Sequence, residues 1–188
     1  LNSPVTKKAA KFKGKGKGIG QAKSPGVEGY SKILTALHNK EVITPKSESQ
    51  TLACEGWHLR QMATTTAAVS MSLRSAAELP QFKDSHVAEI TDRGVHLILP
   101  KSKTNPEPTD VWLEFRDDLG CPVTALARSH AFYTKHGITR HGLLYPAWHR
   151  KRTHNFTVAT RHDNFELKQW NLIRDHCELP ERATLHGL

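Results

Sequence analysis

A chain of 188 residues with 37% hydrophobic residues and four tryptophans can close one packed core, which excludes wholesale disorder. No apolar run approaches the roughly 20 residues of a membrane-spanning helix, so a membrane is not an expected partner. The formal net charge of +9, from 27 Lys plus Arg against 18 Asp plus Glu, points to polyanions instead.

Seven of those cations (Lys7, Lys8, Lys11, Lys13, Lys15, Lys17 and Lys23) fall in the first 23 residues, which hold no acid; 20 cations face the same 18 acids in the remainder. A Lys/Gly segment with few large apolar residues, Phe12 and Ile19 among them, cannot offset the entropy of ordering. Residues 1–23 therefore read as a flexible nucleic-acid-binding arm. The run from Gly14 to Gly20 is not a phosphate loop, because no Lys-Ser/Thr follows its last glycine and no strand precedes it.

Ser24-Pro25-Gly26 marks a break, and residues 24–50 read as a linker with a short helix that carries Ile33, Leu34 and Leu37 and closes before Pro45. From Thr51 onward, Leu52, Leu59, Met62, Thr66, Val69 and Leu73 recur at helical intervals and predict one apolar face of a long helix. Val95 to Leu99, bounded by Gly94 and Pro100, and Asp110 to Phe115, which alternates, predict two strands of an antiparallel hairpin; His86 to Ile90 supplies a third. The loop between the two main strands, Pro100 to Pro108, is polar and proline-rich. Pro122 suits a first helical position, with Gly137 as terminator. Asp163 and Glu166 have capping-box spacing for a last helix that ends before Pro180.

Cys54, Cys121 and Cys177 are odd in number, widely spaced and without a CxxC pair, so neither a disulfide framework nor a structural zinc site is expected. Twelve histidines include pairs such as His136 with His141 and His149 with His154, but that spacing does not suit one helical face, and no metal or cofactor is expected. With no secretory signal, the expected location is intracellular, the nucleus or nucleoid, with an acid-free N-terminus also compatible with a mitochondrial or plastid address. The Leu at position 1 suggests a processed product or an internal piece of a longer chain. Between the last two helices, Arg150, Lys151 and Arg152 are interleaved with Trp148, His149 and His154, a pattern that suits phosphate and base-stacking contacts and equally a solvated basic loop.

Four features then occur in order. Ser72-Leu73-Arg74-Ser75-Ala76-Ala77-Glu78-Leu79 follows the long helix; Lys103 sits in the hairpin; Cys121-Pro122-Val123-Thr124-Ala125-Leu126 opens a helix; and Thr184-Leu185-His186-Gly187-Leu188 closes the sequence. Together, over about residues 50–188, they resemble the catalytic domain of the tyrosine recombinase (phage integrase) family. The resemblance implies an α+β fold, mostly helical with a small antiparallel sheet, and DNA breakage and joining through a 3′-phosphotyrosine without metal or cofactor. It also implies that Arg74 binds the scissile phosphate, Lys103 protonates the leaving 5′ oxygen and His186 assists proton transfer and phosphate binding.

The sequence departs from the family pattern at the spacing of its acid, at the second arginine, which does not follow His186 within these 188 residues, and at the nucleophile. Glu78 lies four residues after Arg74 where the family has three, so either one residue is inserted or Ser75 takes the arginine's place. Tyr30, Tyr133 and Tyr145 all precede His186, so residues 51–188 read as a truncated or degenerate domain lacking the nucleophile region, inactive by itself. The alternative expectation is a non-catalytic structural or RNA-binding subunit of a ribonucleoprotein, such as an organellar ribosome, with DNA as first partner, RNA as the alternative and other protein subunits possible.

Overall fold

A 23-residue helix, Glu48–Ser70, lies at the centre of the packing, with the helices before and after it in the chain and one strand of the sheet against it. The computed structural model describes residues 24–71, 79, 82–99, 101, 106–146, 163–181 and 183–184. Within them the order is α1 (Gly26–His38), α2 (Glu48–Ser70), β1 (Val87–Thr91), β2 (Gly94–Leu99), β3 (Thr109–Glu114), α3 (Pro122–Lys135) and α4 (Asp163–His176). Four helices and one three-stranded sheet make a mixed α+β fold.

The expected single apolar face of α2 understates its burial. Met62 and Thr66 are buried as expected, with Leu52, Leu59 and Val69 half-buried, but Trp57, Arg60, Thr64 and Ala68 on other sides are buried too. The helix is enclosed because α1, α3 and β3 pack against different sides of it, while Gln169 of α4 accepts a hydrogen bond from the Trp57 indole. Polar side chains survive there by bonding locally: the Thr64 hydroxyl donates to Arg60 O at 3.1 Å, and Thr66 donates to Met62 O at 2.9 Å. The helix begins three residues before Thr51, and Leu73 lies outside the described residues.

The segment 24–50 does more than connect. Ile33, Leu34, Leu37 and Ile43 join the core with Trp57, Leu97, Leu113, Phe132 and Ile173. His58 fastens the α1–α2 turn, since its Nδ1–H donates to Cys54 O at 2.7 Å while Nε2 accepts from Ile43 N–H at 3.3 Å. Both ring nitrogens are then used by the neutral imidazole.

The strands pair antiparallel in the order β1-β2-β3. Leu99 stands opposite Thr109 and Gly94 opposite Glu114, one residue from the expected ends, so Phe115 falls just outside the ladder. Strand alternation sends Val95, Leu97 and Leu113 into the core, and His96, Ile98, Asp110, Trp112 and Glu114 to the opposite face. A bulge between Val87 and Glu89 places Glu89 opposite His96, on that open face. Gly94, at φ 150°, permits the tight approach of β2 to β3: a Cβ there would lie 2.1 Å from Leu113 O.

Three helices end in the same left-handed turn. After α1, Glu41 N–H bonds to Ala36 O at 3.0 Å; after α3, Ile138 N–H bonds to Tyr133 O at 2.8 Å; after α4, Leu179 N–H bonds to Arg174 O at 3.0 Å. The turning residues are Lys40, Gly137 and Glu178, all at positive φ. Only the glycine was an expected terminator. Pro122 opens α3 at its first position, with Cys121 Sγ accepting from Thr124 N–H at 3.4 Å. The helix expected before Pro180 runs to His176, but the side chains of Asp163 and Glu166 that would form its capping box lie outside the described residues.

Candidate nucleic-acid interface

Every cation assigned a role from the sequence lies outside the described residues: Arg74, Lys103 and His186, the arm lysines Lys7, Lys8, Lys11, Lys13, Lys15, Lys17 and Lys23, and the loop residues Arg150, Lys151 and Arg152. Ser75 and Glu78 lie outside them too. What the structure describes is the set of anchors from which these residues depart.

The arginine segment leaves α2 after Met71, whose N–H bonds to Ala67 O at 2.9 Å, and returns at Leu79 and Phe82, both fully buried. Lys103 belongs to the connection between Leu99 and Thr109, the last β2–β3 pair, across which Lys101 and Glu107 approach to 3.7 Å. Ahead of His186, the buried Ala183 accepts a 2.8 Å hydrogen bond from the Trp170 indole, and Arg174 donates to Glu181 O at 3.0 Å. The basic loop begins after Pro146, whose carbonyl accepts from Arg60 Nε at 2.6 Å. The Arg74, His186 and basic-loop segments thus each adjoin a point tied to a helix, and the Lys103 segment adjoins the sheet.

Two polar ties were not legible in the sequence. Arg60 is 1% exposed in the middle of α2, an unusual position for a guanidinium, and it holds the chain on which the basic loop begins. A second polar cluster joins the chain before β1 to the segment after α3. Arg140 forks onto Asp84 at 2.8 and 3.2 Å and donates to Leu143 O at 2.9 Å. His130 of α3 bonds Leu144 O at 3.0 Å, with Arg140 Nη1 3.3 Å from the same ring nitrogen. Asp84 and Arg140 are 56 residues apart, and no periodicity links such a pair in advance.

Burial lowers the pKa of His130, and the Arg140 charge adds to that against the opposing pull of the Leu144 carbonyl and Asp84. His58 is lowered chiefly by burial as well, with Lys40 and His176 reinforcing it. Both act as neutral structural imidazoles. Among the described residues no three His, Cys, Asp or Glu side chains converge as metal ligands.

A cleft of about 420 Å³ opens between the end of α1, the middle of α2 and the β3–α3 connection. Its lining includes Lys40, Arg116 and Arg128, with Asp117 and Asp118 in the same wall and Leu59 and Met62 among its apolar side chains. Arg116 Nε is committed to Asp118 at 3.0 Å and Lys40 to Glu55 at 2.8 Å, so this cleft has mixed charge. Cys121 lies in it at the start of α3. Burial would raise its thiol, but hydrogen bonds from Thr124, Arg116 and Val123 outweigh that and lower it.

The hydroxyl oxygens of all three tyrosines in the sequence are buried. Burial pushes Tyr30 up to about 12 and raises Tyr145 further; it also raises Tyr133, against the pull of Ser129, Arg60 and Arg140. None presents a nucleophile to a phosphodiester in this arrangement. Comparison with protein-family models, curated proteins and solved structures finds no match to the chain.

Proposed function

We propose that the chain is a DNA-binding domain of the tyrosine-recombinase kind, built to hold a phosphodiester among cations, with the hydroxyls of Tyr30, Tyr133 and Tyr145 buried away from any such site. The observation that carries this reading is the antiparallel β2–β3 pairing on either side of Lys103. It is framed by α2, which leads into Arg74, and by α3, which opens at Pro122. That succession is what the family resemblance implies, and it brings three cations of the right chemistry into one chain order. The arm supplies non-specific affinity and steering, because long-range attraction to phosphates follows local charge. Strand cleavage would need a tyrosine from outside this sequence.

Burial of all three tyrosine hydroxyls also favours a second reading, a non-catalytic RNA-binding or structural subunit. Fluorescence anisotropy with matched DNA and RNA duplexes across a salt series separates the two. Preference for DNA, weakened by Arg74→Ala and Lys103→Ala, supports the recombinase-like reading; indifference to both substitutions with preference for RNA overturns it. Removing residues 1–23 should flatten the slope of log K against log salt by at most about 6, if all seven lysines engage duplex phosphates. Nicked suicide DNA substrates should give no covalent adduct, and an adduct on Tyr133 or Tyr145 would contradict the burial argument.

A further inference from the structure

The open face of the sheet has a chemistry unlike the rest of this basic chain. Its outward positions are Glu89, His96, Ile98, Asp110, Trp112 and Glu114: three carboxylates and no Lys or Arg, in a protein of net charge +9. Trp112 is 41% exposed and Ile98 43%. The His96 ring stacks on the Trp112 indole, with centroids 4.8 Å apart and planes 8° from parallel, and His96 Nε2 meets Asp110 Oδ1 at 2.9 Å. The indole is therefore held in one orientation between two carboxylates of its own strand.

Such a face repels a nucleic-acid backbone and suits a cationic segment, through carboxylate pairing and cation–π contact with the indole. The chain contains a segment with a matching repeat, Lys11-Phe12-Lys13-Gly14-Lys15-Gly16-Lys17. In extended backbone, alternate side chains share a side and repeat at roughly 6.5–7 Å, so the four ammonium groups line up with that spacing. Asp110, Trp112 and Glu114 are themselves alternate residues of β3 and repeat at the same interval. Gly14 and Gly16 add no bulk between the lysines. Reach is set by residues 18–23, which tether the segment to Ser24 and span up to about 25 Å when extended, against a radius of gyration of about 15 Å for a domain of this size.

We infer that residues 11–17 dock in extended form along β3 on the open face of their own sheet, with one lysine over Asp110, the next on the Trp112 indole and the next over Glu114. The docking does not depend on the nucleic-acid reading. If both hold, they compete for the same lysines, so phosphates must strip the arm from the sheet before the arm can steer. Contacts of this kind are weak singly and sensitive to salt.

Treating the full chain at low salt with a water-soluble carbodiimide, which joins an ammonium directly to a carboxylate, tests this without any nucleic acid. Mass spectrometry of the monomeric product should find links from Lys11–Lys17 concentrated on Asp110 and Glu114. Their yield should fall roughly three-fold or more at 1 M salt, where screening acts within about 3 Å. A variant that regroups the four lysines as one consecutive block keeps the charge and leaves the folded core untouched; it should lose these links to a similar extent. Links scattered evenly over surface carboxylates, links indifferent to the regrouping, or links confined to a dimeric product would each overturn the inference.

Discussion

The central helix and the sheet solve opposite problems. Helix α2 is buried on all sides and carries polar groups, Arg60, His58 and three threonines, into the interior. The sheet buries one face and keeps an almost purely apolar lining there, Val95, Leu97 and Leu113, while its polar and aromatic residues look outward. The difference follows from where hydrogen-bond partners can be found. A helix offers the carbonyls of its preceding turn to a buried hydroxyl, as Thr64 and Thr66 use them, whereas strand carbonyls are already spent on the ladder. Alternation also gives a strand a second side on which to place what it cannot bury.

Arg60 is the severest test of that contrast. Arg60→Ala removes the donor to the Pro146 carbonyl and leaves a cavity beside α2, so urea unfolding should register a loss of about 3 kcal/mol or more. Arg60→Met, which refills much of the volume without a charge, should recover a good part of it. A loss below about 1 kcal/mol from the alanine variant would mean that the buried cation is incidental.

Adjacent residues of β2 test the sheet. Leu97→Ala on the buried face should cost about 2–5 kcal/mol, whereas Ile98→Ala on the open face should cost under about 1 kcal/mol in the same assay. Similar losses at both positions would show the open face to be covered more tightly than a reversible arm can cover it.

Acid should attack the helical body through its histidines. Because His58 and His130 have lowered values in the folded protein, the unfolded chain takes up protons first as pH falls. Their contribution is complete above the ordinary histidine value of about 6.5 and is lost progressively below it. The thermal midpoint should therefore drop between pH 7.5 and 5.5. A flat profile would contradict the neutral double hydrogen bonding assigned to His58.

The smallest expected effect lies at the end of α4. Glu178 occupies a left-handed position where glycine is unstrained, so Glu178→Gly should stabilise by about 0.5–1 kcal/mol in thermal unfolding. The converse change at the end of α3, Gly137→Ala, should destabilise by a similar amount.

The features that were legible in the sequence are those set by local periodicity. The apolar run from Val95 to Leu99 and the alternation from Asp110 to Phe115, with a proline-rich loop between, located the hairpin to within one residue at each end. Pro122 and Gly137 marked both ends of α3 because their backbone preferences act locally. The all-round burial of α2 was hidden, since its Thr and Arg residues read as a polar side until neighbouring elements cover them. Asp84 with Arg140 and Arg60 with Pro146 were equally hidden, because nothing in a linear pattern encodes a partner 56 or 86 residues away. Lys40 and Glu178 gave no glycine signal, since the turn there is imposed by the chain packing back on the body. As for the candidate site, the cations named from the sequence lie outside the described residues, while the structure adds the anchors that hold their segments.

Gly94 sets a limit on how this protein can vary. Its missing side chain is the space into which the Leu113 carbonyl fits, so every other residue brings a Cβ to 2.1 Å of that oxygen. Asp92 and Arg93, two and one positions earlier in the same turn and both exposed, meet no such constraint. In a library saturating residues 92–94, selection for folded protein should leave the first two columns almost fully populated and the third reduced to its parent codons. Drift can rewrite the tip of this hairpin freely, and stops at its last residue.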